Sequence, residues 1–174
     1  GANHNGSLEK ALELIQMAAD SGAHAVKFQH FNAKTIVSKD GFEMLGNKQS
    51  HQSGWNKSVF EVYQDASISL DWTSQLVSAC KKANVEFFTS PYSFDLVDYI
   101  DQYVPAYKVG SGDITWPQVI EKMASKGKPM LLACGASTID EIHNAVKTTL
   151  KHTNEIIIMQ CNTNYTASKE NNAD

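Results

Sequence analysis

Two lysines of this sequence stand near the ends of apolar segments that are followed by small polar residues. Lys27 lies in "HAVKFQ", and Lys108 lies in "AYKVGSGD", where Ser111 and Asp113 follow within five residues. A third apolar segment, "VEFFTSP", contains Ser90 near its end. Ammonium groups, hydroxyls and glycine-rich turns with accessible backbone N–H groups bind anions. These residue types therefore predict a pocket for a small ligand with several negative charges, such as a phosphorylated carboxylate.

Each assignment has a structural alternative. A lysine at a strand end can extend its ammonium group into solvent without binding a ligand. Asp113 either holds sugar hydroxyls and moves a proton or caps the helix that follows it. His4, in "ANHNG", binds a metal, donates to a substrate or fixes its loop. Tyr165, in "QCNTNYT", either orients a substrate or packs at the rim of the pocket.

Helices and strands alternate along the chain, and the strands are apolar almost throughout. The segment "SLEKALELIQMAADSG" has apolar residues at helical spacing, with Ser7 as the predicted N-cap and Gly22 as the predicted end. From about residue 70, predicted helices lead into strands that begin near residues 86, 106, 130 and 155. Apolar strands that alternate with helices are typical of a parallel sheet covered by helices. Residues 30–69 are a polar insertion in which "GWNKSVFEVYQD" predicts one short helix.

Two architectures fit this alternation, an open doubly wound sheet and a (β/α)8 barrel. A doubly wound nucleotide-binding sheet is disfavoured because the sequence has no G-x-G-x-x-G or P-loop motif. The barrel is favoured because polar residues fall at or just after the carboxyl ends of successive strands, where barrel active sites are assembled. These residues are Lys27, Gln29, Ser90, Ser93, Lys108, Ser111, Asp113, Gln160 and Asn162. We predict an α/β chain with the architecture of a (β/α)8 TIM barrel.

Composition limits the class of protein. The 174 residues are 42% hydrophobic, which is enough for the core of a single partial domain. The formal net charge of -4 argues against a nucleic-acid binder, and no apolar run or signal peptide predicts membrane insertion. The three cysteines, Cys80, Cys134 and Cys161, have no disulfide-scaffold spacing and no activating histidine nearby in sequence. We therefore expect a cytoplasmic protein with thiols that are not nucleophiles.

Five ordered segments resemble the sialic acid synthase family, which includes the N-acetylneuraminate, legionaminate and pseudaminate synthases. They are "NHNGSLEKALELIQMAADSGAHAVKFQ", "FFTSPYS", "PAYKVGSGD", "GKPMLLACGAST" and "QCNTNYT". The resemblance implies a (β/α)8 barrel that condenses phosphoenolpyruvate with an N-acetylated hexose such as N-acetylmannosamine. The products would be a nine-carbon 2-keto sugar acid and phosphate. A divalent metal, Mn²⁺ or Mg²⁺, would assist.

The resemblance also implies roles for individual residues. Lys27, Ser90 and Ser111 match positions that bind phosphate, and Lys108 matches one that holds the enolpyruvyl carboxylate. Lys27, Lys108 and Asp113 are accordingly the predicted catalytic residues. The predicted sugar-binding residues are Asn5, Gln29, Asp113 and Tyr165.

Some expected parts differ or are missing. Asn5 and Asp113 stand where some members carry glutamate, and Ala133 stands where several carry a phosphate-binding serine. The resemblance implies that this chain is a partial (β/α)8 barrel whose first strand and last strands are missing. It places the two metal-binding histidines beyond residue 174, together with a C-terminal antifreeze-like domain that would close over the partner subunit of a homodimer. We therefore expect the isolated chain to be inactive.

Three alternatives remain open at this point. The first is a related phosphoenolpyruvate-dependent synthase of a 3-deoxy-2-keto sugar acid, which is expected to need an additional basic site for a phosphorylated acceptor. The second is a Schiff-base aldolase in which Lys27 or Lys108 forms the imine. The third is a sugar-binding module without catalytic activity.

Overall fold

The computed structural model describes residues 3–45 and 56–163. The chain divides into two compact units, Gly1–Leu96 and Val97–Asp174. In both units parallel strands alternate with helices, as the sequence predicts. Among the residues described, no helix is both long and apolar enough to cross a membrane.

The first unit is built around a pair of parallel strands. Strand β1 (Ala25–His30) pairs in register with β2 (Glu86–Pro91), so that Ala25 lies opposite Glu86 and His30 lies opposite Pro91. Helix α1 (Leu8–Asp20) leads into β1. Because the strands are parallel, their carboxyl ends lie at the same edge.

Helix α1 begins and ends where its sequence predicts. The Ser7 hydroxyl accepts the backbone N–H of Lys10 at 3.2 Å, which satisfies one of the free donors of the first turn. Ala11 and Ile15 form the buried stripe, with 0% and 1% exposure. After the helix, Gly22 adopts a φ of 81°, a left-handed conformation that glycine accepts without strain.

The insertion between β1 and β2 is more helical than the sequence indicates. It contains α2 (Ala33–Ile36), α3 (Lys39–Leu45) and the predicted short helix, α4 (Val59–Asp65). Helix α4 is fixed by a capping box, in which Ser58 and Glu61 bind each other's backbone N–H groups. A 3₁₀ turn and helix α5 (Thr73–Lys82) then lead into β2.

The second unit continues the same pattern with a three-stranded parallel ladder. Helix α6 (Phe94–Ile100) spans the boundary between the units in the sequence, and a 3₁₀ turn follows the first strand of the ladder. The remaining elements are β3 (Tyr107–Val109), α7 (Pro117–Ala124), β4 (Met130–Ala133), α8 (Ile139–Thr149) and β5 (Ile156–Met159). The strand order β3-β4-β5 is fixed by the parallel pairs Lys108–Leu131 and Ala133–Met159.

A buried polar cluster closes the amino ends of β3 and β4. The Tyr107 side chain is fully buried, and its hydroxyl donates to Asp101 Oδ1 at 2.8 Å. Lys128 Nζ lies 2.9 Å from the same carboxylate oxygen and 5.9 Å from the centre of the Tyr107 ring. These contacts lie at the end of the strands opposite Ser111, the end of a barrel whose residues stabilise the fold and do not form the active site.

Candidate active site

In the first unit, three predicted site residues lie on β1 and β2. Lys27 is in the middle of β1, whereas Gln29 and Ser90 are each next to the last residue of their strand. Gln29 is the register partner of Ser90, and Lys27 is two residues before Gln29 on the same strand. Side chains two residues apart on a strand share a face, so Lys27 and Gln29 project to the same side. Ser90 is 3% exposed, whereas Lys27 and Gln29 are half-buried. The structure therefore brings the three residues together as predicted.

The Gln29 side chain is held by a residue that the sequence does not single out. Gln29 Nε2 donates to the Tyr92 hydroxyl at 2.8 Å. Tyr92 is itself anchored, because its backbone N–H donates to the His30 carbonyl oxygen at 3.0 Å and its ring meets Phe31 edge to face. The position of Tyr92 two residues after Ser90, in "FFTSPYS", is the signal that identifies it.

The predicted sugar-binding residue Asn5 lies in a tight turn near the amino end of the chain. Asn5 is exposed and adopts a φ of 49°, a left-handed conformation that asparagine accepts more readily than most residues. His4, just before it, is fully buried, and its Nδ1 accepts the Gly6 backbone N–H at 3.1 Å. Of the three roles considered for His4, this contact supports fixation of the loop.

In the second unit, Lys108, Ser111 and Asp113 lie on β3 and the turn that follows it. Lys108 is half-buried, and its Nζ donates to the Val109 carbonyl oxygen at 2.9 Å. Directly after the strand, Ser111–Asp113 form a 3₁₀ turn in which the Asp113 N–H donates to the Gly110 carbonyl oxygen at 3.0 Å. The strand thus places a cation, a hydroxyl and a carboxylate within six residues.

Burial acts on the two charged groups of this segment in opposite directions. It lowers the pKa of the Lys108 ammonium and raises the pKa of the Asp113 carboxyl, because both lose contact with water. The charge of each residue opposes this effect on the other. A half-buried cation and carboxylate of this kind are typical of a site that receives a polar ligand.

The capping alternative for Asp113 is not supported. The helix that follows, α7, begins at Pro117 with Trp116 as its N-cap, and the Trp116 side chain makes no capping hydrogen bond. A proline at the first position removes one of those donors. The residue at the cap position of α7 is therefore Trp116 and not Asp113.

A second residue missed by the sequence analysis, Gly135, orients Ser111. The Gly135 backbone N–H donates to Ser111 Oγ at 3.1 Å. Because the hydroxyl oxygen accepts this bond, the hydroxyl proton remains to be donated to another acceptor. The signal for Gly135 is its place directly after the strand in "PMLLACGAST", at the edge where Ser111 also lies.

The neighbouring strand ends carry no activated thiol among the residues described. Ala133, which replaces the expected serine, is buried at the end of β4. Burial raises the pKa of the Cys134 thiol, and the Sγ atoms of Cys134 and Cys161 each lie 3.5 Å from the carbonyl oxygen two residues earlier. A thiol with a raised pKa is a poor nucleophile, which agrees with the expectation for Cys134.

The described residues offer no set of ligands for a metal ion. Within residues 3–45 and 56–163, no group of three or more histidine, cysteine, aspartate or glutamate side chains converges. The divalent metal inferred from the resemblance stays a prediction, with its ligands expected elsewhere in the protein. The predicted sugar contact Tyr165 lies outside the described residues.

Known proteins resemble nearly the whole chain. The N,N'-diacetyllegionaminic acid synthase of Campylobacter jejuni is 32% identical over 171 residues, covering 96% of this chain and 51% of that protein. The pseudaminic acid synthase of Helicobacter pylori is 31% identical, covering 97% of this chain and 50% of that protein. The crystal structure of N-acetylneuraminic acid (sialic acid) synthetase from Leptospira borgpetersenii is 27% identical with a TM-score of 0.82, covering 98% of this chain and 54% of that one. The chain spans about half the length of the relatives it matches.

These similarities confirm the predicted fold class and the predicted family. The structural likeness to a sialic acid synthetase supports a partial barrel of parallel strands that alternate with helices. The sequence matches the NeuB family over residues 14–173, and therefore the chain belongs to the NeuB family.

Proposed function

We propose that this chain is the phosphoenolpyruvate-binding part of a synthase that condenses phosphoenolpyruvate with an N-acetylated hexose. The product is a nine-carbon 2-keto sugar acid of the sialic or legionaminic acid type. The observation that carries the proposal is the half-buried segment of Lys108, Ser111 and Asp113, which lies on β3 and the 3₁₀ turn that follows it. Membership of the NeuB family, with relatives named legionaminic and pseudaminic acid synthases, supports the reaction type.

In this proposal each unit supplies its own anion-binding groups. Lys108 pairs with the carboxylate of phosphoenolpyruvate, and the Ser111 hydroxyl donates its proton to the phosphate. Lys27 and Ser90 of the first unit are further phosphate-binding groups. Charge-assisted bonds of this kind are about twice as strong as neutral hydrogen bonds. Lys27 and Lys108 can therefore bind an anion although the net charge of the chain is negative.

The reaction forms one carbon–carbon bond and breaks one carbon–oxygen bond. C3 of phosphoenolpyruvate attacks the aldehyde carbon of the open-chain sugar, whose oxygen becomes a hydroxyl after it gains a proton. Positive charge develops at C2, and water adds there and loses one proton. The C2–O bond to phosphate then breaks, and the C2 hydroxyl becomes the 2-keto group as its proton passes to the departing phosphate. Asp113 is suited to proton transfer because burial raises the pKa of its carboxyl above the ordinary value of an aspartate. Asn5, Gln29 and Tyr165 contact the acceptor sugar.

A divalent metal, Mn²⁺ or Mg²⁺, would polarise the aldehyde. The described residues include no ligand set for it, and the roles above are assigned only to side chains of this chain. We also propose that the full-length protein is a cytoplasmic homodimer, on the basis of the family resemblance and the three free cysteines. Light scattering on the full-length protein would test the dimer, since a monomeric mass contradicts it.

The test of the function is phosphate release by the full-length protein. Phosphoenolpyruvate and Mn²⁺ are supplied with a panel of N-acetylated and phosphorylated sugars, for the parent protein and the Lys108→Ala variant. Lys81→Ala, on the exposed face of α5, is the matched control. We expect release that requires an N-acetylated hexose and is lost in Lys108→Ala but kept in Lys81→Ala.

Other outcomes would favour one of the three alternative functions. Release only with phosphorylated sugars would favour the 3-deoxy-2-keto sugar acid synthase. Trapping of the chain by borohydride in the presence of a keto acid would reveal an imine and favour the aldolase. Sugar binding without release would favour the non-catalytic module.

A further inference from the structure

His4 is fully buried, yet only one of its two ring nitrogens has a hydrogen-bond partner among the residues described. Nδ1 accepts the Gly6 backbone N–H at 3.1 Å, whereas Nε2 has no partner. A neutral imidazole that accepts at Nδ1 carries its proton on Nε2. A buried donor without an acceptor costs about 1–3 kcal/mol, so the burial of this ring requires an explanation.

The surroundings of the ring are aromatic. His4 meets Trp72 edge to face, with ring centres 5.8 Å apart, and lies 6.5 Å from the Phe28 ring. Burial lowers the pKa of His4, and the ring is therefore neutral near pH 7. The imidazole is thus a rigid, uncharged acceptor whose position is set by packing on Trp72 and Phe28.

This acceptor fixes the turn that presents Asn5. Besides the Nδ1 bond, the His4 carbonyl oxygen accepts the Ser7 N–H at 2.9 Å, so two bonds close the turn around Asn5. Asn5 and Gly6 both adopt left-handed conformations, with φ of 49° and 74°. On the side that faces Asp65 the turn has no room for a side chain at Gly6, because an added Cβ would lie 2.5 Å from the Asp65 carbonyl oxygen.

We propose that His4 is a positioning residue that holds the Asn5 turn in its left-handed conformation and so aims Asn5 at the acceptor sugar. The inference rests on the proposed function, which assigns Asn5 to the acceptor. His4 acts through Asn5 and does not touch the substrate. Its loss therefore weakens recognition of the sugar far more than recognition of phosphoenolpyruvate.

A double-mutant cycle of His4 and Asn5 in the full-length protein tests whether His4 acts through Asn5. We expect His4→Leu to raise the KM for the acceptor sugar about tenfold and the KM for phosphoenolpyruvate less than about twofold. His4→Asn places an oxygen near the position of Nδ1 and is expected to recover most of the lost affinity, whereas His4→Gln is not. In an Asn5→Gly background, which accepts the same φ, His4→Leu should have almost no further effect on the acceptor KM.

Additive effects of His4→Leu and Asn5→Gly, or equal increases in both KM values, would overturn the proposal in favour of a purely structural role. If His4→Leu fails to fold, the contrast between His4→Asn and His4→Gln decides the same question.

A spectroscopic measurement separates this inference from the proposed function. Nitrogen NMR of histidine-labelled protein should show His4 as the Nε2-protonated tautomer, and exchange of the Gly6 amide should quicken in His4→Gln but not in His4→Asn. The opposite tautomer, or the same exchange in both variants, would contradict the proposed positioning. If the protein releases no phosphate with any sugar while these signatures hold, the proposed reaction is wrong and His4 still orders the turn.

Discussion

Gly135 donates its backbone N–H to the hydroxyl oxygen of Ser111 at 3.1 Å, and no larger residue fits at that position. A Cβ added to Gly135 would lie 2.9 Å from Ser111 Oγ, 2.7 Å from the Cys161 carbonyl oxygen and 2.5 Å from Thr163 Cγ2. Real Cβ atoms do not approach so closely, and the carbonyl is backbone that cannot rotate away. The absence of a side chain at Gly135 therefore allows its backbone N–H to approach and bind the Ser111 hydroxyl.

The first prediction concerns this contact. Gly135→Ala should displace Ser111 and raise the KM for phosphoenolpyruvate about tenfold, because a misplaced donor loses most of its bond to the phosphate. Gly112→Ala is the matched control, since a Cβ at Gly112 meets nothing within 4 Å. Steady-state phosphate release by the full-length variants measures the effect. An unchanged KM in Gly135→Ala would show that Ser111 does not bind the ligand.

The second prediction concerns Asp113. Asp113→Asn keeps the shape but removes the proton-accepting group, so we expect kcat to fall about a hundredfold. Because burial raises the pKa of Asp113, the parent should also lose activity on the acidic side as this carboxyl is protonated. That acidic limb should be absent from the residual activity of Asp113→Asn.

Two further variants serve as comparisons for the Asp113→Asn result. Asp113→Glu retains a carboxylate, and should keep more activity than Asp113→Asn. Asp140→Asn, on the exposed first turn of α8, should behave as the parent. Parent-like kcat in Asp113→Asn would remove Asp113 from the catalytic residues.

Features encoded by periodic patterns were predictable from sequence. The apolar strands and the helices between them give strong local signals, and the polar residues Lys108, Ser111 and Asp113 follow one another on one strand and turn. Helices α2 and α3 gave no such signal. Helix α2 has only four residues, too few for a period, and is held locally by the Asn32 side chain, which accepts the Lys34 N–H at 3.0 Å.

The residues that orient the site were not predictable in the same way. Tyr92 reaches Gln29 across 63 residues of sequence, and Gly135 reaches Ser111 across 24. Both contacts depend on which strands pair and in what register, and a pattern within one segment does not contain that information. The role of His4 was not predictable from sequence either, because the sequence left three roles open. Its burial and its hydrogen bond to the Gly6 N–H distinguish them.

The third prediction concerns His30, a buried histidine outside the proposed chemistry. His30 is 1% exposed, and its Nδ1 and Nε2 lie 2.9 and 3.0 Å from the hydroxyls of Thr89 and Thr73. Both hydroxyls can accept from a protonated ring, so hydrogen bonding does not oppose its charge. Burial does, and together with the nearby His4 it lowers the pKa of His30 from 6.5 to about 4.

Because the folded state holds the His30 proton less tightly than the unfolded state, stability must rise with pH between these two values. The contribution is fully present above pH 6.5 and is lost as the pH falls toward 4, by about 3 kcal/mol in total. Urea unfolding of the full-length protein at pH 7, 6, 5 and 4 should show that the free energy of unfolding of the first unit rises with pH. The unfolding signal must come from residues of the first unit. His30→Gln should be less stable at pH 7 but should lose much less stability on acidification, whereas the exposed His143→Gln should match the parent. An equal loss in the parent and His30→Gln would mean that acid acts on the first unit through other groups.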